Sequence, residues 1–94
     1  MPSPIFKDAI TVHNSHGLHL RVASELVKLC RQFQSKVTLA RPGEPPASAA
    51  SPLSLLALAV TSGTELEVVA EGPDAQQALT AVVDYFAMSP NAEK

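Results

Sequence analysis

The fold class is decided by one stretch of sequence, Thr64-Glu65-Leu66-Glu67-Val68-Val69-Ala70, in which apolar residues alternate with more polar ones. Such alternation predicts a strand with one face buried against a core. The turn Gly72-Pro73-Asp74 follows, and Asp74 with Gln77 resembles a capping box at the start of a helix. Beyond this turn, apolar side chains recur at helical spacing: Ala75, Ala78, Leu79, Val82, Val83 and Phe86. We therefore expect a strand, a turn and an amphipathic helix that ends near Met88.

The rest of the chain supplies the other elements of an α+β fold. Alternation predicts strands over Phe6–Val12 and Lys36–Ala40, and a short edge strand over Ala47–Ala49. Between the first two strands, helical spacing of apolar residues predicts a helix that begins near His19 or Leu20. The resulting order predicts an open-faced sandwich (βαββαβα), with a four-stranded, mainly antiparallel sheet and three helices on one face.

A short apolar helix is predicted before the last strand. Ser51 has the form of an N-cap, since its hydroxyl can accept an unpaired backbone N–H, and Pro52 fits the first helical position. The nearly all-apolar segment Pro52 to Val60 forms this helix, and Gly63 beyond it can adopt the left-handed conformation that ends helices. The segment is more apolar than one buried face requires, so its remainder is either core or a surface for partners.

Length and composition indicate a single small domain. With 94 residues, 46% hydrophobic and 17% charged, we treat 1–94 as one domain with an ordered core of about 5–88 and a flexible tail at 89–94. The formal net charge of −2 gives no general affinity for nucleic acid, and no apolar run is long enough for a membrane span. The single cysteine, Cys30, lies on the apolar stripe of the first helix and excludes an internal disulfide. We expect a cytoplasmic protein.

The segment Asn14 to Arg21 carries the candidate chemistry, because a glycine-bearing turn delivers a histidine to the start of a helix. Backbone N–H groups and the dipole at a helix N-terminus attract phosphate, and the Arg21 guanidinium can hold two phosphate oxygens. Histidine can accept a phosphoryl group on one ring nitrogen and release it near neutral pH. The pattern makes His19 a candidate phosphoryl acceptor, but spacing alone favours a capping or surface histidine at this turn.

A metal site is the alternative that the histidines suggest, since His13, His16 and His19 are spaced by three. Gly17 interrupts the helix that would align them, and no carboxylate or thiol lies close by in sequence. We therefore expect neither a metal nor a cofactor. His16 and Gly17 are adjacent to the candidate site, where His16 either tunes the acceptor or is a plain turn residue.

Two motifs together resemble a known family. Residues 17–23 read Gly-Leu-His-Leu-Arg-Val-Ala, and Ser48-Ala49-Ala50-Ser51 precedes the short apolar helix. These resemble the signatures of HPr, the histidine-containing phosphocarrier family of the bacterial phosphoenolpyruvate-dependent sugar phosphotransferase system: Gly-Leu-His, a small residue and Arg-Pro-Ala, and Ser-Ala-x-Ser. The resemblance runs from about Ala9 to Met88.

The resemblance implies a phosphoryl carrier rather than an enzyme. His19 would carry the group on Nδ1, received from enzyme I and passed to a sugar-specific enzyme IIA, while Arg21 steadies the phosphate. Ser51 stands where a regulatory serine kinase and phosphorylase act in some members. The surface shared by the two enzymes would include Leu20, Lys28, Leu53 and Leu56.

Two departures from the signature bear on partner choice. Val22 stands in place of proline, and Leu20 replaces a small residue beside His19, where a larger apolar side chain can alter which partner docks. Two alternatives therefore stay open. One is a regulatory member of the same fold, serving a nitrogen-type phosphorelay or binding a transcription regulator. The other is an interaction domain that never carries phosphate, against which His19 and Arg21 argue.

Overall fold

Helices and strands follow one another in the predicted order. The structure, a computed structural model, describes residues 3–13 and 18–92, with side chains up to residue 87. Within those residues the elements are β1 (Ile5–Thr11), α1 (Leu20–Cys30), β2 (Lys36–Ala40), β3 (Ala47–Ser48), α2 (Pro52–Leu56), β4 (Glu65–Glu71) and α3 (Ala75–Ala92). The predicted α+β fold class is confirmed.

The sheet has the strand order β1-β4-β2-β3, and every neighbouring pair is antiparallel. On β4 Leu66, Val68 and Ala70 are buried, the glutamates are exposed and Val69 is half-buried on the other face, so the strand alternates as its sequence predicts. α3 packs on β1 and β4, and α1 packs against both α2 and α3. The predicted antiparallel sheet with helices on one face is therefore confirmed, and its other face is open.

One cluster of apolar side chains fills the space between the sheet and the helices. Cys30 belongs to it, as its place on the predicted stripe of α1 indicates. The largest fully buried side chains are those of Val12, Leu26, Leu39, Leu55, Leu66, Val68 and Val82. No helix within the described residues combines the length and the apolarity that crossing a membrane would need.

α2 is shorter than predicted. It ends at Leu56 and not at Val60, and Ala59 already has a positive φ of 52°. Gly63 also has a positive φ, but it lies well beyond the helix. The prediction was wrong because the chain leaves the helix to form contacts with other segments, which an apolar run does not reveal.

α3 is longer than predicted. It passes Met88 and ends at Ala92, so residues 89–92 of the expected flexible tail are helical, and residues 93–94 lie outside the described residues. Pro90 removes one backbone donor from the helix, but no glycine follows Met88 to reverse the chain.

The turn before α3 is tied to the turn before β2. The Asp74 carboxylate accepts hydrogen bonds from the N–H of Gln34 at 2.9 Å and of Ser35 at 2.8 Å, and from Ser35 Oγ at 2.6 Å. The predicted capping box with Gln77 is therefore wrong, because this carboxylate serves a segment about 40 residues earlier in the chain. Gly72 lies against the same serine, and a Cβ at Gly72 would lie 2.5 Å from Ser35 Oγ.

Candidate functional site

His19 is the N-cap residue of α1, close to the predicted start of that helix. Its backbone is extended, with φ −96° and ψ 178°, and its carbonyl accepts the N–H of Ala23 at 2.9 Å. The imidazole is partly exposed and does not cap the helix. The first N–H groups of a helix have no intrahelical partner, so this end of α1 is suited to an anion on or near His19.

Backbone contacts with the α2–β4 loop position the residue before the histidine. The N–H of Leu18 donates to the carbonyl of Val60 at 3.1 Å, and both residues are buried. The Arg41 guanidinium holds this loop by donating to the carbonyls of Leu58 at 3.1 Å and Ala59 at 2.5 Å. Sequence reasoning missed Arg41, because no local pattern marks a side chain that binds carbonyls 17 and 18 residues away.

Arg21 lies in the first turn of α1 with 71% of its side chain exposed. Its Nε donates to Glu25 Oε2 at 3.5 Å, and the Tyr85 hydroxyl donates to Glu25 Oε1 at 2.8 Å. Sequence reasoning missed both partners. The four-residue spacing of Arg21 and Glu25 on a helix is a signal for the first contact, whereas nothing in the sequence links Glu25 to Tyr85 on α3.

The electrostatics of these groups follow from the same contacts. The Tyr85 hydroxyl, with Arg21 acting in the same direction, lowers the pKa of Glu25, so this carboxyl is ionised at neutral pH. Burial and the Glu25 carboxylate raise the pKa of Tyr85, which therefore remains a hydrogen-bond donor. Burial also raises the pKa of the Cys30 thiol to about 11, which leaves it protonated and a poor nucleophile.

The predicted partner-binding residues differ in exposure. Leu20 is 60% exposed and Leu53 is 75% exposed, and both are large apolar side chains. Lys28 is exposed on α1, whereas Leu56 is half-buried and packs against the core. Because α1 and α2 pack against each other, the structure brings together the two helices that carry these residues.

Ser51 is the N-cap of α2, as predicted. Its hydroxyl oxygen accepts the N–H of Ser54 at 3.3 Å, and Pro52 is the first residue of the helix. The side chain is half-buried at this cap.

The predicted site-adjacent residues His16 and Gly17 lie outside the described residues. His13 is exposed, and its carbonyl accepts the Ser62 hydroxyl at 3.4 Å. In residues 3–13 and 18–92, no group of three or more histidine, cysteine or acidic side chains has the arrangement to hold a metal ion.

Comparison with known proteins assigns the family. A family model described as "PTS HPr component phosphorylation site" matches residues 6–88. The chain belongs to the HPr family. Proteins of this family are phosphocarriers of the phosphotransferase system rather than enzymes, and the chain is of this HPr type.

Relatives and solved structures of this HPr-family chain agree with that assignment. Phosphocarrier protein NPr from Shewanella violacea is 40% identical over 78% of this chain and 79% of that protein. Phosphocarrier protein HPr from Haemophilus influenzae is 38% identical over 84% of this chain and 92% of that protein. The crystal structure of HPr from Thermoanaerobacter tengcongensis matches with a TM-score of 0.85 at 27% identity, covering 92% of this chain and 96% of that one.

Some relatives are much longer than this HPr-family chain. A multiphosphoryl transfer protein from Haemophilus influenzae is 46% identical over 73% of this chain, which spans 14% of that protein's length. The similarity therefore concerns one HPr-like part of the longer protein.

Proposed function

We propose that this chain accepts a phosphoryl group on His19 Nδ1 from the phosphohistidine of enzyme I and passes it to a histidine of an enzyme IIA. The observation that carries the proposal is the position of His19 at the N-cap of α1, with Arg21 exposed in the first turn. Its setting is the cytoplasm, in keeping with a chain whose one cysteine is a thiol.

The chemical step is a transfer between two imidazoles. The lone pair of His19 Nδ1 bonds to phosphorus while the nitrogen–phosphorus bond on enzyme I breaks, and that bond's electron pair returns to the donor imidazole. The onward transfer to enzyme IIA repeats this step with His19 as the leaving group. No external oxidant, metal or cofactor enters the balance, so none is required on this chain.

The contribution of this chain is position and charge. Phosphoryl transfer needs alignment of donor and acceptor and stabilisation of the equatorial oxygens, with little covalent chemistry from other residues. The N-terminal N–H groups of α1 and the Arg21 guanidinium supply that stabilisation in the proposal. Exposed Leu20 and Leu53, with Lys28, form the proposed docking surface together with the exposed part of Leu56.

Loading by enzyme I tests the proposal directly. With enzyme I and labelled phosphoenolpyruvate, the wild-type chain should gain one acid-labile phosphoryl group. His19→Ala should gain none, and the matched control His13→Ala should load fully, because His13 precedes the segment that leads to the helix. Undiminished loading of His19→Ala would overturn the assignment, and a wild-type chain that never loads would favour the interaction domain without phosphate.

A nitrogen-type or regulatory branch is the second candidate, favoured by the exposed Leu20 next to the acceptor and by the similarity to NPr. The loaded chain should be offered separately to a sugar-specific and a nitrogen-type enzyme IIA, alongside Leu20→Thr. Faster transfer to the sugar-specific protein supports the first proposal. Faster transfer to the nitrogen-type protein, reversed by Leu20→Thr, supports the second.

A further inference from the structure

A chain of side-chain contacts connects α3 to the first turn of α1. The Tyr85 hydroxyl donates to one oxygen of Glu25 at 2.8 Å, and the other oxygen of Glu25 accepts Arg21 Nε at 3.5 Å. Glu25 thereby lies between a residue of the last helix and the arginine proposed to steady the phosphoryl group. Arg21 has an anionic partner already, before any phosphate is present.

The hydrogen bond of Glu25 with Tyr85 is better fixed than its contact with Arg21. Tyr85 is half-buried, packs against the core and meets the Phe86 ring edge-on with centroids 5.4 Å apart. This packing holds the Tyr85 hydroxyl in place, and the hydroxyl in turn orients the Glu25 carboxylate. The same hydrogen bond lowers the pKa of Glu25. The contact to Arg21 is long and exposed, and exposed ion pairs are weak. A phosphate dianion can therefore displace Arg21 from Glu25, whereas Glu25 stays attached to Tyr85.

Competition for Arg21 changes the stability of the phosphorylated state. An arginine binds two oxygens best along one edge of its planar guanidinium, and the contact of Nε with Glu25 occupies one such edge. The stabilisation that Arg21 gives to a phosphoryl group through this edge is therefore reduced by the loss of the Glu25 contact.

We propose that Glu25, oriented by Tyr85, is a positioning residue that restrains Arg21 and so keeps a phosphoryl group on His19 readily transferable. This inference rests on the proposed function. Its chemical basis is that a carrier whose phosphoryl group is held too firmly accepts it well and releases it poorly. Glu25 acts through Arg21, and it opposes the stabilisation that Arg21 gives.

The equilibrium of loading measures this effect. With catalytic enzyme I at fixed phosphoenolpyruvate and pyruvate, Glu25→Gln should raise the equilibrium constant for phosphorylation by roughly 1.4- to fivefold, the range expected for loss of an exposed charge contact. Tyr85→Phe should act in the same direction to a smaller extent. Glu71→Gln is the matched control, because it removes the same charge at the exposed far end of β4 and should change nothing.

A double variant distinguishes an effect of Glu25 through Arg21 from a purely structural role of Glu25. In an Arg21→Ala background, Glu25→Gln should change the equilibrium constant by less than half as much as in the wild-type background, since its effect operates through Arg21. A purely structural role of Glu25 would lower thermal stability and leave the equilibrium constant of the folded protein unchanged. Equal effects in both backgrounds would overturn the inference.

Binding of inorganic phosphate to the unphosphorylated chain tests the restraint without enzyme I. Followed through the NMR resonance of the Arg21 Nε–H group, Glu25→Gln should bind phosphate roughly 1.4- to fivefold more tightly than wild type. If the chain is never loaded but this difference appears, the proposed function fails and the restraint of Arg21 stands. If the chain is loaded, but wild type and Glu25→Gln bind phosphate equally and have the same equilibrium constant for phosphorylation, the proposed function stands and the restraint of Arg21 is wrong.

Discussion

At Gly72 the backbone passes so close to Ser35 that a methyl group does not fit. A Cβ there would lie 2.5 Å from Ser35 Oγ and 2.6 Å from Ser35 Cα, and the φ of +149° is unfavourable for any residue with a side chain. Gly72→Ala should therefore lower the free energy of unfolding by about 2 kcal/mol or more, measured by urea denaturation.

Gly43→Ala is the matched control for this prediction. Gly43 also has a positive φ, of +80°, but no atom lies within 4 Å of the position of its Cβ. Its substitution should cost about 1 kcal/mol from backbone conformation alone. Equal losses for the two variants would show that the contact with Ser35 relaxes at little cost.

Local sequence patterns predict the positions of some residues of the proposed site and not of others. The place of His19 and Arg21 at the start of α1 was predictable, because a helix start is a local feature. Their roles in phosphoryl transfer stay a prediction. Glu25 shares a helix face with Arg21, so the contact between them could have been predicted from their four-residue spacing. Tyr85 was not, because its contact with Glu25 spans 60 residues and depends on how α3 packs against α1.

Among the elements, α2 carries the regulatory prediction, and phosphorylation of Ser51 stays a prediction. Aspartate is as good an N-cap as serine, so Ser51→Asp should melt within about 3 °C of wild type. Its negative charge would enter the proposed apolar docking surface near Leu53 and must be desolvated there. Loading by enzyme I should therefore slow by roughly tenfold, as measured by initial rates.

Ser51→Asn separates the cap from the charge, because it retains a capping oxygen and is neutral. It should melt and load like wild type. A Ser51→Asp variant that melts several degrees lower would contradict the role of the cap, and one that loads as fast as wild type would place Ser51 outside the docking surface.

The sequence predicted the start of α2 correctly but not its end. The start of α2 was correct because Ser51 and Pro52 act locally. Its end was wrong because Arg41, from another part of the chain, binds the carbonyls of Leu58 and Ala59 after the helix. Hydrogen bonds to those carbonyls offset part of the cost of the left-handed conformation at Ala59, which no local pattern predicts.

Across the whole molecule, β4 separates two ends with different roles. Near its start, the N–H of Val12 donates to the carbonyl of Thr64, and the segment that follows Val12 leads to His19. At its other end, roughly 20 Å away by strand geometry, Asp74 joins the turns before α3 and β2. The alternation of the strands predicted the layers of the fold, but this junction was misassigned because its two halves are distant in sequence.

Acid stability depends on that junction. Hydrogen bonds from the Ser35 hydroxyl and, to a lesser extent, from the N–H of Gln34 lower the pKa of Asp74 below its ordinary value. A carboxyl whose pKa is lower in the folded state stabilises the protein above its unfolded pKa, about 4, and this contribution is lost as the pH falls through the folded pKa. Wild type should therefore exceed Asp74→Asn in free energy of unfolding at pH 7, and the difference should shrink progressively below about pH 4.

Urea denaturation of wild type and Asp74→Asn between pH 7 and pH 2 measures this difference. The effects of the other carboxyls on stability cancel, because both proteins contain them. Asp84→Asn, at an exposed position of α3, controls for the loss of one carboxyl group from the chain. Ser35→Ala removes the strongest of the bonds that lower the pKa of Asp74, so its stability should depend less on pH than that of wild type. A gap between wild type and Asp74→Asn that stays constant down to pH 2 would show that the carboxylate charge does not hold the two turns together.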